Sequence, residues 1–174
     1  MPALRPRDFA LPVTVGAATL AFAAALGVAS LGAKASTANH HLAASADPGS
    51  SAFREQVLGV ARQFAVDFTA YDYRHISDDF NRVALESTGQ FHQQYLTQSA
   101  AARDLIVKAK AVSTAQVTAA GLGDVTATKA TVVVALNRTI ANTSSPSPQP
   151  DSIGIQVVLV RQHGRWLASQ VTLL

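Results

Sequence analysis

The hydrophobic positions follow three different patterns along the chain. Residues 11–33 form one apolar run that no charged residue interrupts. Across residues 51–107 the apolar positions recur every three or four residues, and across 112–173 they nearly alternate with polar ones. The first pattern is typical of a membrane-spanning helix, the second of amphipathic helices and the third of strands.

The apolar run is long enough to cross a bilayer. At ~1.5 Å per residue it would form a helix of about 34 Å, against a hydrocarbon core of ~30 Å. A secretory signal peptide, cleaved after Ala35, is the alternative, because Arg5 and Arg7 precede the run and small residues flank Lys34. Signal cores usually span ~7–15 residues, so the length favours an uncleaved anchor.

The charges beside the run predict its orientation. Arg5 and Arg7 lie on the short N-terminal side, and Lys34 alone lies on the other side. Positive residues favour the cytoplasmic side of a membrane. We therefore expect a cytoplasmic tail at residues 1–10, a transmembrane helix at 11–33, a linker at 34–50 and an extracytoplasmic domain at 51–174, in the cell membrane.

Three helices are predicted after the linker. The first begins at Ser51, which can cap it, and closes at Tyr71-Asp72-Tyr73-Arg74. The second begins at Ser77-Asp78-Asp79, where two carboxylates suit the positive end of a helix. The third runs from Thr88-Gly89 to about Val107, with Phe91, Tyr95, Ala102 and Leu105 on one side and basic Lys108 and Lys110 at its end.

About four strands are predicted in the remainder. They cover residues 112–122, 127–142, 153–162 and 165–173. A turn is expected at residues 121–124 and a Pro/Ser-rich loop at 143–152, and His163-Gly164 predicts a two-residue hairpin connection. Helices followed by strands predict an α+β fold, with three helices packed on one face of a curved antiparallel sheet.

Composition narrows the function classes. The net charge is +3, but outside the first 35 residues 11 Lys and Arg face 10 Asp and Glu, so no nucleic-acid partner is expected. The chain has no cysteine, which excludes disulfides and thiol chemistry. No phosphate-binding glycine loop or nucleophile elbow is present, and the histidines lack metal-ligand spacing, so no cofactor, metal or catalytic set is predicted.

Several segments in this order resemble the Mce-associated membrane proteins (Mce for mammalian cell entry). The most specific are the Tyr-Asp-Tyr segment and the later Lys-Ala-Lys-Ala-Val junction. The segments are Phe64-Ala65-Val66-Asp67-Phe68-Thr69-Ala70-Tyr71-Asp72-Tyr73-Arg74, Thr88-Gly89-Gln90-Phe91 with Tyr95, Val107-Lys108-Ala109-Lys110-Ala111-Val112, and Gly164-Arg165-Trp166-Leu167.

This resemblance implies a cone of helices against a bent antiparallel sheet. The same fold occurs in nuclear transport factor 2 and in the periplasmic domain of an assembly subunit of type IV secretion machines. The implied role is that of an accessory subunit in a lipid or sterol importer of a bacterial envelope. The family carries over no set of catalytic residues.

The candidate interaction or motif positions are Tyr71, Asp72, Tyr73, Lys108, Lys110 and Trp166. Similar cone folds host enzymes that use Asp and Tyr as acid, base or oxyanion donor. Consecutive residues at a helix end cannot all face one cavity, so Asp72 is expected to cap the helix or to pair with Arg74 or Arg82. The basic residues are expected on a solvated face, with a partner or anionic lipid as the alternative.

Three function hypotheses follow. The first is a non-enzymatic accessory or scaffold subunit that binds other subunits of an envelope transport complex. The second is a module that binds a lipid in the cone cavity, and the third is an enzyme that uses Asp67 or Asp72 with a tyrosine. Solvent access to an apolar pocket distinguishes the second hypothesis, and a carboxylate inside that pocket distinguishes the third.

Overall fold

The computed structural model describes residues 47–145, 147–148 and 150–174. The predicted cytoplasmic tail, transmembrane helix and cleavage position lie outside the described residues. Within the part of the chain that is described, no helix combines the length and the apolar character needed to cross a bilayer.

The described residues form an α+β domain with three helices and one antiparallel sheet, as predicted. The strand order in the sheet is β1-β2-β3-β4-β5. The elements are α1 Ser51–Thr69, β1 Tyr71–Asp72, α2 Ile76–Leu85, α3 Gly89–Ala109, β2 Val112–Val125, β3 Lys129–Ala141, β4 Pro150–Gln162 and β5 Arg165–Leu173.

The sheet has five strands, so the expectation of about four was wrong. The additional strand is β1, in which Tyr71 pairs with Ser113 and Asp72 with Val112. These residues were predicted to close the first helix, but α1 ends at Thr69 and the backbone of Ala70 is already extended. The Ser113 Oγ donates a 2.8 Å hydrogen bond to the Thr69 carbonyl, so a partner distant in sequence ends the helix.

The helix ends also differ in detail from the prediction. Ser50, and not Ser51, caps α1, because the Ser50 Oγ accepts a 3.2 Å hydrogen bond from the Phe53 N–H. The α3 helix continues to Ala109, and Lys110 follows it in the left-handed conformation. Ile106 faces the core there, whereas Leu105, which was expected to do so, is 61% exposed.

Two predicted loops are shorter than expected. β2 continues through the expected turn at Gly121 and Gly123 to Val125. The turn comes after it, where the Thr126 Oγ1 accepts a 3.0 Å hydrogen bond from the Lys129 N–H. β4 begins at Pro150, inside the expected Pro/Ser loop; proline is tolerated at the first position of a strand.

The β4–β5 hairpin follows the predicted connection. His163 and Gly164 have φ values of 50° and 80°, the double left-handed conformation that a two-residue hairpin requires. This turn aligns Arg161 with Trp166, and a register shift between Val158 and Leu159 then brings Val157 opposite Val171.

The main core lies between α1 and the inner face of the sheet. Leu136, Ile155, Leu159 and Phe64 are at most 2% exposed and belong to this core. A second, smaller cluster of Ile76, Ala102, Ile106 and Ala111 joins α2 and α3, with Tyr71 and Tyr73 packed against it. The helices therefore cover one face of the sheet.

Candidate interaction surface

Aromatic side chains fill much of the cone between the helices and the sheet. Phe68 contacts Phe64, Phe91 and Tyr95 with ring centroids 5.8, 6.1 and 6.1 Å apart. Phe80 meets Tyr95 edge-on at 6.1 Å. Such separations are those of packed aromatic pairs, so these rings form a core and not an open groove.

A small cavity lies at the edge of this cluster. Its volume is about 60 Å³, and its walls include Phe80, Ile106, Ile153, Tyr71 and Arg138. Pockets that enclose drug-sized ligands measure ~300–1,000 Å³. The cavity in this conformation has room for a few water molecules and not for a sterol or a fatty-acid chain.

Tyr71 and Arg138 are the polar side chains of interest in this cavity. Burial raises the pKa of the Tyr71 hydroxyl, and the nearby charge of Arg138 partly opposes that shift. The Arg138 Nη2 donates a 2.6 Å hydrogen bond to Asp151 Oδ2. At neutral pH the phenol is protonated and the guanidinium is already paired, so neither group is poised as a base.

Asp72 faces away from this cavity and pairs with Arg74. The Arg74 Nε donates to both carboxylate oxygens at 2.9 and 3.0 Å, and its Nη2 donates to Oδ2. These hydrogen bonds lower the pKa of Asp72 to about 2. The Arg74 guanidinium also lies 5.9 Å from the centroid of the Tyr73 ring. The three candidate residues therefore point to different surroundings.

A second polar network connects α1, α2 and β1. Asp67 accepts hydrogen bonds from Gln63 Nε2 at 2.7 Å and from Arg82 Nη1 at 3.1 Å. Arg82 also donates to Asp79 Oδ1 at 3.2 Å, and Asp79 Oδ2 accepts from the Asp72 N–H at 2.9 Å. Asp67 is only 7% exposed, and this network satisfies its charge, which is a structural role.

The sequence analysis missed Glu86. This residue follows α2, and its Oε2 is buried without a hydrogen-bond partner among the described residues. Burial, with a smaller contribution from the charge of Asp67, raises the pKa of Glu86 from its ordinary value of 4.5 to about 7; Arg82 and Arg165 oppose the shift. Nothing in the local pattern marks Glu86, because its burial arises in the folded chain, where its carbonyl accepts a 2.8 Å hydrogen bond from the Ala168 N–H of β5.

The fold brings Lys108 and Lys110 near the Tyr-Asp-Tyr segment. The Tyr73 N–H donates a 3.1 Å hydrogen bond to the carbonyl of Ala111, immediately after Lys110. Ala109 in turn accepts a 2.9 Å hydrogen bond from the Thr143 N–H. Five of the six candidate positions thus lie at one end of the sheet, and their role in binding stays a prediction.

Trp166 lies at the other end of the sheet. It pairs with Arg161, near the start of β3, whereas Tyr71 is aligned through Ser113 with Ile140 at the end of β3. The ring packs edge-on against Phe53 at 5.9 Å and is 7% exposed. Its position explains a role in the core, and it does not contribute to a site with Tyr71.

The most open feature is the outer sheet face, the side of β2–β5 that the helices leave uncovered. Register places Gly121, Val133, Gln156 and Thr172 in one row across the four strands. Other positions on this face are Gln116, Ala119, Thr131, Ala135, Asn137, Gly154, Val158 and Gln170. None of these side chains is charged, and Val133 is 41% exposed.

The centre of the outer sheet face carries polar and small side chains and no charge. Antiparallel sheets of this kind commonly alternate apolar residues inward with polar residues outward. Here the strand charges lie at strand ends or on the inner side, as with Lys129 and Arg138. Depletion of charge is typical of the centre of protein interfaces.

The chain matches one family over most of its length. The profile of the family described as "Uncharacterized protein Rv1363c/MT1408-like" matches residues 11–174. A curated relative, "Uncharacterized protein Rv1363c" of Mycobacterium tuberculosis, is 24% identical over 132 residues. The match covers 76% of this chain and 49% of the relative, so the chain spans about half the length of the curated relative it matches.

Solved structures share the fold at low sequence identity. An IcmL-like type IV secretion system protein from Legionella pneumophila has a TM-score of 0.57 and 14% identity, and the match covers 70% of this chain and 93% of that one. CagV of Helicobacter pylori, a VirB8 homologue of a type IV secretion system, has a TM-score of 0.53 and 10% identity, with 67% and 95% covered. The likeness concerns the fold alone.

Proposed function

Since the chain belongs to the Rv1363c/MT1408-like family, we propose that it is a non-enzymatic subunit of a multi-protein complex in a bacterial cell envelope. Its domain would bind other subunits while residues 11–33 anchor it in the cell membrane. The observation that carries the proposal is the outer sheet face, which extends over four strands, is partly exposed and carries no charge across its centre. The shared fold with secretion-system proteins adds support.

The more specific form of the proposal is an accessory role in Mce-type import of lipids or sterols. It rests on the resemblance of the Tyr-Asp-Tyr segment and the Lys108–Lys110 junction to Mce-associated proteins. In this form the N-terminus is cytoplasmic, residues 34–50 are a linker, and residues 51–174 act outside the cytoplasm. The polar end of the sheet, with Tyr73, Lys108 and Lys110, would be a second contact region.

A lipid-binding role receives less support from the geometry. The aromatic rings of α1 and α3 occupy the cone, and the remaining cavity of about 60 Å³ is smaller than a lipid requires. The paired carboxylates Asp67 and Asp72 likewise hold arginines and do not face a substrate-sized space. Protein binding therefore accounts for the described surfaces best.

Site-specific photo-crosslinking in membranes of the native host tests this function. A photoreactive residue at Val133 or Gln156 samples the outer sheet face, and one at Gln93 on the exposed side of α3 is the matched control. We expect Mce-importer subunits to be captured from the first two positions and not from the control. Mass spectrometry should also recover peptides from residues 1–35.

Two outcomes would contradict the proposal. Capture of no envelope protein from Val133 or Gln156 would remove the proposed role of the outer sheet face. A mature chain that begins near Ser36 would exclude the anchor. Capture of subunits from a different envelope machine would retain the scaffold role and exclude the Mce assignment.

A further inference from the structure

Strand β2 forms an open edge of the sheet. Along one edge of this strand only Val112 and Ser113 pair with another strand, β1. Along the opposite edge β2 pairs with β3 as far as Val125. Among the described residues, no strand pairs with the free edge of positions 114–125. An edge strand presents a row of N–H and C=O groups that another extended backbone can pair with.

Two of the usual protections of such an edge, charged side chains and proline, are absent from most of β2, and Asp124 near its end is its one charged residue. Residues 112–123 contain no Asp, Glu, Lys, Arg or Pro. Proteins commonly place charges or prolines on exposed edges to prevent strand pairing. β-Bulges also protect edges, and the pairing of β2 with β3 has register shifts between Val117 and Ala119 and between Leu122 and Val125. Two regular stretches therefore remain, one on each side of Thr118.

The inner side of the same edge is an incompletely buried apolar strip. Ala115, Val117, Ala120 and Leu122 pack against the main core but stay only partly buried. The exposure arises because, in the described part of the chain, only the two-residue strand β1 lies beyond β2, where it pairs with Val112 and Ser113. A further strand beside β2 would remove this apolar surface from water and would stabilise the pair.

We propose that β2 pairs antiparallel with β2 of a second copy of this chain, about a two-fold axis between Thr118 and Ala119. This register sets Ala115 opposite Leu122 and Val117 opposite Ala120, so inner residues meet inner residues. It also sets Gln116 opposite Gly121 on the outer sheet face. The faces match because each copy carries the same register shift at Thr118.

A second copy fits this edge better than an unrelated strand. In a two-fold pair each strand meets its own side chains, and like charges directly opposite one another would destabilise it. Residues 112–123 carry no charge, and those nearest the axis are the small Thr118 and Ala119. The pairing forms one continuous ten-stranded sheet from two five-stranded ones and leaves the outer sheet face free.

The register can be tested directly because the chain has no cysteine. Full-length Gln116→Cys and a size-tagged full-length Gly121→Cys are mixed in mild detergent with a short bismaleimide. We expect the mixed cross-link to exceed either homotypic product about tenfold, because two copies of either position lie far apart in a two-fold pair. Thr131→Cys, on the outer side of β3, is the control and should not cross-link.

A charge swap separates edge pairing from other contacts. Ala119→Lys brings two lysines together beside the axis, so we expect the dimer dissociation constant to rise about tenfold or more in sedimentation equilibrium. Mixing Ala119→Lys with Ala119→Glu should restore the dimer. Val133→Lys, on the exposed outer sheet face, should leave it unchanged.

Three results would overturn the edge pairing. These are a monomeric full-length chain at all concentrations, a dimer that Val133→Lys disrupts and Ala119→Lys does not, or homotypic cross-links that equal the mixed one. None of them bears on the captured subunits in the photo-crosslinking experiment, so the two proposals fail separately.

Discussion

At the scale of single residues, Glu86 has the environment most sensitive to pH. Its buried Oε2 raises the pKa to about 7, so between pH 4.5 and 7 the folded chain retains a proton that the unfolded chain releases. Ionisation of Glu86 therefore lowers stability as the pH rises through this window. The pKa of Asp72 is shifted in the opposite direction, to about 2, so the stability that its carboxylate contributes is lost as the pH falls towards that value.

Replacing Glu86 with glutamine should remove this pH dependence. We expect Glu86→Gln to match the parent chain at pH 5 and to be more stable by about 1–2 kcal/mol at pH 8, a range reduced for partial solvent exposure. Urea unfolding at the two pH values measures the difference. Glu55→Gln is the control, because that side chain is 68% exposed. An equal effect of Glu86→Gln at both pH values would argue against the raised pKa.

Gly164 contributes to stability through its backbone conformation. Its φ of 80° favours glycine, so Gly164→Ala should lower the free energy of unfolding by about 1 kcal/mol. The same change at Gly59, in the exposed middle of α1 with no atom near the added Cβ, should raise it by about 0.5–1 kcal/mol. Thermal unfolding of both variants should show shifts of opposite sign, and shifts of the same sign would contradict this reasoning.

At the scale of elements, a local hydrogen bond marks where α1 begins and a tertiary one marks where it ends. Ser50 accepts from the Phe53 N–H at one end, and Ser113 binds the Thr69 carbonyl at the other. Adjacent serines at positions 50 and 51 offer two plausible caps from sequence, and only the backbone of Ser50 is extended as a cap requires.

Two matched substitutions distinguish these caps. Ser50→Ala should destabilise the chain by about 1 kcal/mol, because it removes the acceptor for the Phe53 N–H. Ser51→Ala should be neutral or slightly stabilising, because alanine has the higher helix propensity. Chemical denaturation of both variants tests the assignment. The larger loss in Ser51→Ala would mean that the predicted cap is the right one.

At the scale of the whole molecule, one core joins α1 to the sheet. Leu136 on β3 is 1% exposed and faces this core, whereas Val133 on the same strand faces outward. Substitutions at Leu136 and Val133 therefore measure separately how much the core and the outer sheet face contribute to stability. Since Trp166 is the only tryptophan and lies in the same core, its fluorescence reports on tertiary unfolding.

Truncation of the Leu136 side chain should destabilise the helices and the sheet together. Leu136→Ala is expected to cost about 2–5 kcal/mol, because a cavity remains between α1 and the sheet. Val133→Ala, with its side chain largely in solvent, should cost less than about 1 kcal/mol. Circular dichroism and Trp166 fluorescence should give coincident transitions. Separate transitions would show that the helices and the sheet do not unfold as one unit.

The periodicity of the chain determined the class of each long element. The stripe that includes Phe53, Val57 and Phe64 predicted α1, and the alternation in β3 and β4 predicted a sheet, because burial on one side imposes these repeats. The His163-Gly164 hairpin was also predictable from the sequence, since few residue pairs adopt two left-handed conformations. The α+β arrangement of three helices before the strands was therefore predictable.

Only the tertiary structure decided the features that depend on distant partners. The conversion of Tyr71–Asp72 into β1 requires Val112 and Ser113, and the raised pKa of Glu86 requires its burial in the folded chain, where the Ala168 N–H of β5 donates to the Glu86 carbonyl. The open edge of β2 likewise follows from its place in the strand order and not from its own residues. Local sequence records which face of an element avoids water, whereas neighbours distant in sequence determine which groups become paired, buried or exposed.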